Sequence, residues 1–166
     1  AMAARPGPVV QTDRNVAKLI AKARRGPFRK LFDYNGERRF VEPYGVLIGP
    51  RNYLVARQPS KGAELRHLRL DRIRDASVIE KWFCKDPDFS LARYASRSFG
   101  SFQDENEFGE VIWRFSADAA DRASEWRFHP SQSFTMLPDG RLEVRFEASG
   151  LQEMAWHLHC WGDAVE

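Results

Sequence analysis

Cysteine is scarce in this chain, long apolar runs are absent, and acidic residues are thin across its first half. Each absence excludes something. Two cysteines in 166 residues, Cys84 and Cys160, are too few and too far apart for a disulfide framework, so a reducing cytoplasm is the expected compartment. No apolar run approaches the ~20 residues of a membrane span, and no secretory signal opens the sequence. The lead-in AMAARPGP resembles a remnant of an expression tag and is set aside from fold reasoning. There is no glycine-rich phosphate loop and no G-x-S-x-G nucleophile turn. His157, His159 and Cys160 match no zinc signature, since positions 157 and 159 of a helix do not share a face. Cys84, after Trp82-Phe83, reads as a small packing residue. Asp71 and Asp75 lie beside arginines, where ion pairing outweighs acid–base work. The expectation is a protein that is not an enzyme, with no cofactor and no metal.

What the chain does have is an uneven charge. The overall net charge is +3, yet residues 13–75 carry a net +9 and residues 76–166 a net −7. The split argues for two modules with different partners: a basic one suited to a polyanion and an acidic one suited to packing against protein. Arginine is concentrated in RNYLVARQPSKGAELRHLRLDRI, residues 51–73, where Arg51, Arg57, Arg66, Arg69 and Arg72 share one predicted hairpin with few acids nearby. Leu68 and Leu70 share a parity and point inward, which leaves His67 and Arg69 outward. Arg66 and Arg72 have the leucines' parity but sit at strand ends. Tyr34, Tyr44 and Tyr53 lie on neighbouring strands. Arginine offers bidentate phosphate contacts and tyrosine a surface for base stacking, so this face is expected to bind anions.

Asp13 caps a predicted helix over 14–25, with Val16, Leu19, Ile20 and Ala23 as its apolar stripe and Gly26-Pro27 as its stop. Five strands follow, at 28–34, 38–49, 52–57, 65–73 and 76–83. Asn35-Gly36 is a strong hairpin signal, and Pro43 marks an edge or a bulge. Five short strands after one helix suit a small Sm-like or SH3-like barrel that closes its own edges. Residues 84–109 read as a connector with a short helix at 89–99. The second module, 110–166, runs β-α-β-β-α: strand 110–115, helix 117–126, a hairpin around Pro138-Asp139-Gly140, and a helix 150–161 ending at Gly162. A ferredoxin-like unit needs one more strand than this order supplies, so the last strand is expected to be minimal or cut off. The predicted fold class is α+β, with a barrel domain at 14–83 and an extension at 110–166.

The run of Tyr34, Arg39-Phe40-Val41-Glu42-Pro43, Gly45, Tyr53-Leu54-Val55-Ala56 and Arg66-His67-Leu68-Arg69-Leu70-Asp71-Arg72-Ile73 resembles the WYL domain of bacterial transcriptional regulators. The family's Trp-Tyr-Leu triplet is Asn52-Tyr53-Leu54 here. Residues 110–166 resemble the WYL C-terminal extension, with His129-Pro130-Ser131-Gln132 before the Asp139-Gly140 hairpin and a closing helix at Trp161-Gly162. The resemblance implies an Sm-like barrel, a ferredoxin-like extension and a ligand-sensing role. It implies dimerisation involving the extension, and promoter binding through a winged helix-turn-helix that this chain is not expected to contain. It implies nucleic-acid-like effectors held by Tyr34, Arg39, Tyr53, Arg57, Arg66, Arg69 and Arg72; His67 joins them from the strand parity alone. The leading expectation is a sensor of short single-stranded nucleic acid, with DNA favoured. The rivals are a sensor of a small anion such as a cyclic nucleotide, and a protein-interaction or dimerisation module.

Overall fold

A computed structural model describes residues 16, 28–49 and 51–166. The predicted helix at 14–25 lies outside the described residues except for Val16, which is helical and buried in the first core. The chain divides into two compact units between Leu91 and Ala92. No helix among the described residues is long and apolar enough to cross a membrane.

In the first unit, Phe28–Tyr34 (β1) and Glu37–Leu47 (β2) form a hairpin. Its turn residues Asn35 and Gly36 both take positive φ, 53° and 81°, as a two-residue hairpin turn with the right twist requires. Tyr53–Arg57 (β3), Leu65–Arg69 (β4) and Ile73–Trp82 (β5) complete an antiparallel sheet in the order β4-β3-β2-β1-β5. Pro43 lies where the β2–β3 register shifts between Pro43 and Gly45, because proline cannot donate to the ladder and so favours a bulge. Two expectations change. Residues 65–73 are not one strand: Leu70–Arg72 forms a single 3-10 turn, anchored by the Leu70 N–H donating to the Asn52 carbonyl at 2.9 Å. Nor do the ladders close a barrel, because β4 and β5 are the two edges of an open sheet. The α+β class stands.

One face of this sheet gathers Phe32, Tyr34, Val41, Leu54, Ala56, Leu68, Leu70 and Ile73 around Val16, forming the core of the unit. The other face buries Tyr44, Leu47, Tyr53 and Val55. Tyr44 packs edge-on against Phe89 and tilted against Phe83. A Cβ on Gly45 would run into the Leu91 side chain, so glycine is what lets residues 83–91 lie down on the sheet there. Cys84 is exposed, contrary to the packing role expected of it.

The second unit is built on Gly109–Phe115 (β6), Ser133–Met136 (β7) and Leu142–Ala148 (β8), paired in the order β6-β8-β7. The helix Leu91–Ala95 (α1) is shorter than expected and straddles the division between units. Ala117–Ser124 (α2) and Leu151–His159 (α3) pack over Trp113, Phe115, Val144 and Phe146. Ala119, Ala120 and Ala123 form the buried side of α2, and their small size brings the helix close to the sheet. Leu151, expected in the apolar stripe of α3, is exposed, while Met154 and Trp161 are buried. The chain end does reach the sheet. Val165 bridges Phe115, and Arg114 and Glu166 exchange backbone hydrogen bonds of 2.8 and 3.0 Å. The fourth-strand position on the outer edge of β6 is therefore a single bridge.

Candidate anion-binding face

Strand register sorts the predicted site residues onto two faces, because directly opposed residues in an antiparallel pair share a side. Tyr34, Arg39 and Arg66 lie on the core face, with Arg39 opposite Phe32 and Arg66 opposite Ala56. Tyr53, Arg57, His67 and Arg69 lie on the opposite face, where Tyr53 faces Arg69 and His67 faces Val55. Arg72 is exposed in the 3-10 turn between β4 and β5. The structure thus brings four of the eight together and places the others elsewhere.

The arginines are not a bare positive surface. Glu42 is 2% exposed and sits between two of them. Its Oε2 accepts from Arg57 Nε at 2.7 Å and Nη2 at 2.6 Å. Its Oε1 accepts from Arg29 Nε at 2.9 Å and Nη2 at 2.7 Å. Arg69 makes a bidentate pair with Asp71, Nε to Oδ1 at 3.1 Å and Nη2 to Oδ2 at 2.6 Å. Arg39 pairs with Glu37 at 2.9 Å. The expectation of arginines with few acids nearby is corrected in this respect: acids are few in this half of the chain, but Glu37, Glu42 and Asp71 are each paired with arginines of the sheet. Each pairing fixes a guanidinium fork and leaves N–H donors over, since arginine carries five. Arg29, Arg57 and Glu42 together retain a net positive charge.

Electrostatics follow the same geometry. The Asp71 carboxyl is held below its ordinary value first by its hydrogen bonds to Arg69. The Arg57 and Arg69 guanidinium groups are raised by theirs to Glu42 and Asp71. Burial pushes His67 down to about 4, so the ring is neutral at physiological pH. His67 lies against Tyr53 with ring centroids 5.9 Å apart.

The tyrosines differ from their expected role. Tyr34, Tyr44 and Tyr53 are 7%, 8% and 8% exposed and offer no open ring for a base. Tyr34 is structural: its hydroxyl accepts the Arg69 N–H at 3.2 Å, and the Arg39 guanidinium covers its ring at 4.6 Å. Asn52, which replaces the expected tryptophan, accepts the Gly49 N–H on Oδ1 at 3.3 Å and so closes the β2–β3 turn. Sequence reasoning missed Arg29 and Glu42. Their signal was Glu42, an acid in the middle of β2 at a position facing away from Val41. In the second unit, Trp161 Nε1 donates to His157 Nε2 at 3.4 Å, and the His157 ring stacks on Trp113 at 6.0 Å. No group of side chains suited to a metal ion occurs among the described residues.

Comparison with known proteins places this architecture. A family model described as the WYL domain matches residues 19–78, and one described as the WCX domain matches residues 108–166. The chain carries a WYL domain followed by a WCX domain. Strands β1 to β4 and the first part of β5 fall within the WYL match, and the β6–β8 sheet within the WCX match. Among solved structures, proteasome accessory factor B/C (PafBC) of Arthrobacter aurescens matches with 22% identity and a TM-score of 0.48. That match covers 99% of this chain and 26% of PafBC, so the chain spans about a quarter of that protein's length. No curated protein matches the chain.

Proposed function

We propose that this chain is the effector-sensing part of a transcription regulator and that the WYL domain binds a short single-stranded nucleic acid, DNA in the first instance. The observation that carries the reading is the pair of arginines held in fixed forks by Glu42 and Asp71 on one face of the sheet. Such forks lose little side-chain freedom on meeting a phosphate, and their spare N–H donors suit its oxygens. Arg57 lies opposite Leu65, and Arg69 follows four residues along β4. That separation is roughly 13 Å at the strand rise, so the two forks address different phosphates of one strand. Exposed Arg72 extends the positive edge. Because the tyrosines are buried, phosphate contacts carry the affinity, and binding has little base preference.

In this proposal the WCX domain is a ferredoxin-like unit with a one-bridge fourth strand that supports homodimerisation. Effector binding shifts the dimer between two states, and promoter DNA is read by a separate domain. The module is a sensor without catalysis.

Labelled single-stranded oligonucleotides and fluorescence anisotropy test this. Arg57→Ala and Arg69→Ala should each weaken binding about tenfold. Arg141→Ala, which removes an exposed arginine paired with Asp139 and Glu166 in the other unit, should leave it unchanged. Equal losses at all three positions would reduce the interaction to general charge attraction. A small anion is the second reading, favoured by the small number of forks. A melting-temperature rise with a cyclic nucleotide and none with oligonucleotides would select it.

A further inference from the structure

Residues 83–91, which follow the last strand of the first unit, bring one more cation to the face of the Arg57 fork. Phe83 and Phe89 pack on Tyr44 from this segment, with ring centroids 6.0 and 4.9 Å from that of Tyr44. Lys85 lies between the two phenylalanines in sequence, so their packing fixes where its side chain ends. Its Nζ donates to the Tyr44 backbone carbonyl at 2.7 Å. The same ammonium stands 5.5 Å from the Tyr44 ring centroid and 5.3 Å from that of Phe89. One hydrogen bond and two aromatic rings therefore hold an exposed positive charge in place.

The Arg57 guanidinium lies at the same ring, with its Cζ 6.0 Å from the Tyr44 centroid. The two cations differ in how far they are neutralised. Glu42 accepts from Nε and Nη2 of Arg57. Lys85 meets no carboxylate among the described residues. Asp86, next to it in sequence, accepts the Asp88 N–H at 2.9 Å instead. An ammonium has three N–H donors, and the Tyr44 carbonyl takes one of Lys85's. Two donors and the whole charge are left beside a fork that already shares its acid with Arg29. Around Tyr44 and Glu42, three cations stand against one carboxylate.

We infer that Lys85 is a phosphate contact of this face and takes the phosphate next along the strand from the one on Arg57. The inference rests on the nucleic-acid reading above and extends its site beyond the WYL match, which ends at residue 78. The shared Tyr44 ring keeps the two cations close enough for neighbouring phosphates of one strand. Glu42 fixes the arginine fork, while the flexible four-carbon stem of the lysine follows the backbone of the bound strand. Tyr44 itself is covered and serves as the floor beneath both cations.

The test is fluorescence anisotropy of the full chain with labelled single-stranded oligothymidylate across a salt series. Lys85→Gln should weaken binding at low salt about fivefold and make the slope of log affinity against log salt shallower by about 0.7, the share of one phosphate on a single strand. Lys85→Arg keeps the charge and should hold both affinity and slope. Arg38→Gln removes an exposed arginine of the same unit, paired with Asp33 and six residues from Tyr44 along β2, and should alter neither. Lys85 is exposed, so its variants should melt close to the parent. A slope unaltered in Lys85→Gln, or equal losses in Lys85→Gln and either Lys85→Arg or Arg38→Gln, would overturn the role of Lys85 while leaving the Arg57 and Arg69 forks standing. No binding by the parent chain at low salt would overturn the nucleic-acid reading itself, and the role of Lys85 with it.

Discussion

Replacing Glu42 by glutamine separates the structural duty of the arginines from their binding duty. Glutamine keeps the shape of the side chain and one acceptor oxygen but removes the charge that faces Arg29 and Arg57. Four N–H···O contacts between 2.6 and 2.9 Å converge on this carboxylate. The Glu42 side chain is 3% exposed, while those of Arg29 and Arg57 are 29% and 32% exposed. Removing one partner of a fully buried pair costs about 3–5 kcal/mol. Partial solvation of both arginines lowers that, since exposed pairs contribute only ~0–1 kcal/mol. The expected loss is about 2 kcal/mol, which corresponds to a fall of roughly 4–8 °C in melting temperature for a chain of this size. Two guanidinium groups then face each other without their shared counterion, so affinity for single-stranded DNA at low salt should hold or rise even as stability falls. Urea unfolding and anisotropy on the same samples read the two effects. A stability change below ~0.5 kcal/mol would refute the view that Glu42 organises this face.

Other outcomes follow from the same geometry. His67 has its folded pKa lowered to about 4 from 6.5. The unfolded chain therefore binds the extra proton first, and stability should fall as pH drops from 6.5 towards 4. His67→Gln should flatten that slope, and an NMR titration should show the ring neutral until about pH 4. Asp71 has its folded pKa lowered from 3.8 by Arg69, so its contribution is complete above 3.8 and is lost as pH falls through the folded value. Asp71→Asn should remove that acid-side loss. Gly45→Val should destabilise the first unit by about 1–3 kcal/mol in chemical unfolding, because its side chain meets Leu91.

The elements easiest to see in the sequence were those whose signal is local. Asn35-Gly36 announced the β1–β2 hairpin because only a few residue types accept two consecutive positive φ angles. The alternation of Val111, Trp113 and Phe115 gave β6 its buried face. The 3-10 turn at Leu70–Arg72 was hidden because Leu70 and Ile73 are both core residues, and apolar spacing alone reads as continuous strand. The face of each arginine was partly legible: parity placed His67 and Arg69 together, as the register confirms. What parity could not show is which acid each arginine meets. Arg57 and Glu42 are fifteen residues apart and become neighbours only through the β2–β3 pairing. Nor could it show that Tyr34 and Tyr53 are covered, because burial of a ring depends on elements far away in sequence.

The central claim is that the WYL sheet grips phosphates through a small number of fixed arginine forks. The most direct measurement is the affinity for a labelled single-stranded oligonucleotide across a salt series. Three or four phosphate contacts predict a slope of roughly −2 to −3 in log affinity against log salt. That slope should fall by about one unit in Arg57→Ala and be unaltered in Arg141→Ala. No binding at low salt, or a slope indifferent to Arg57, would contradict the account.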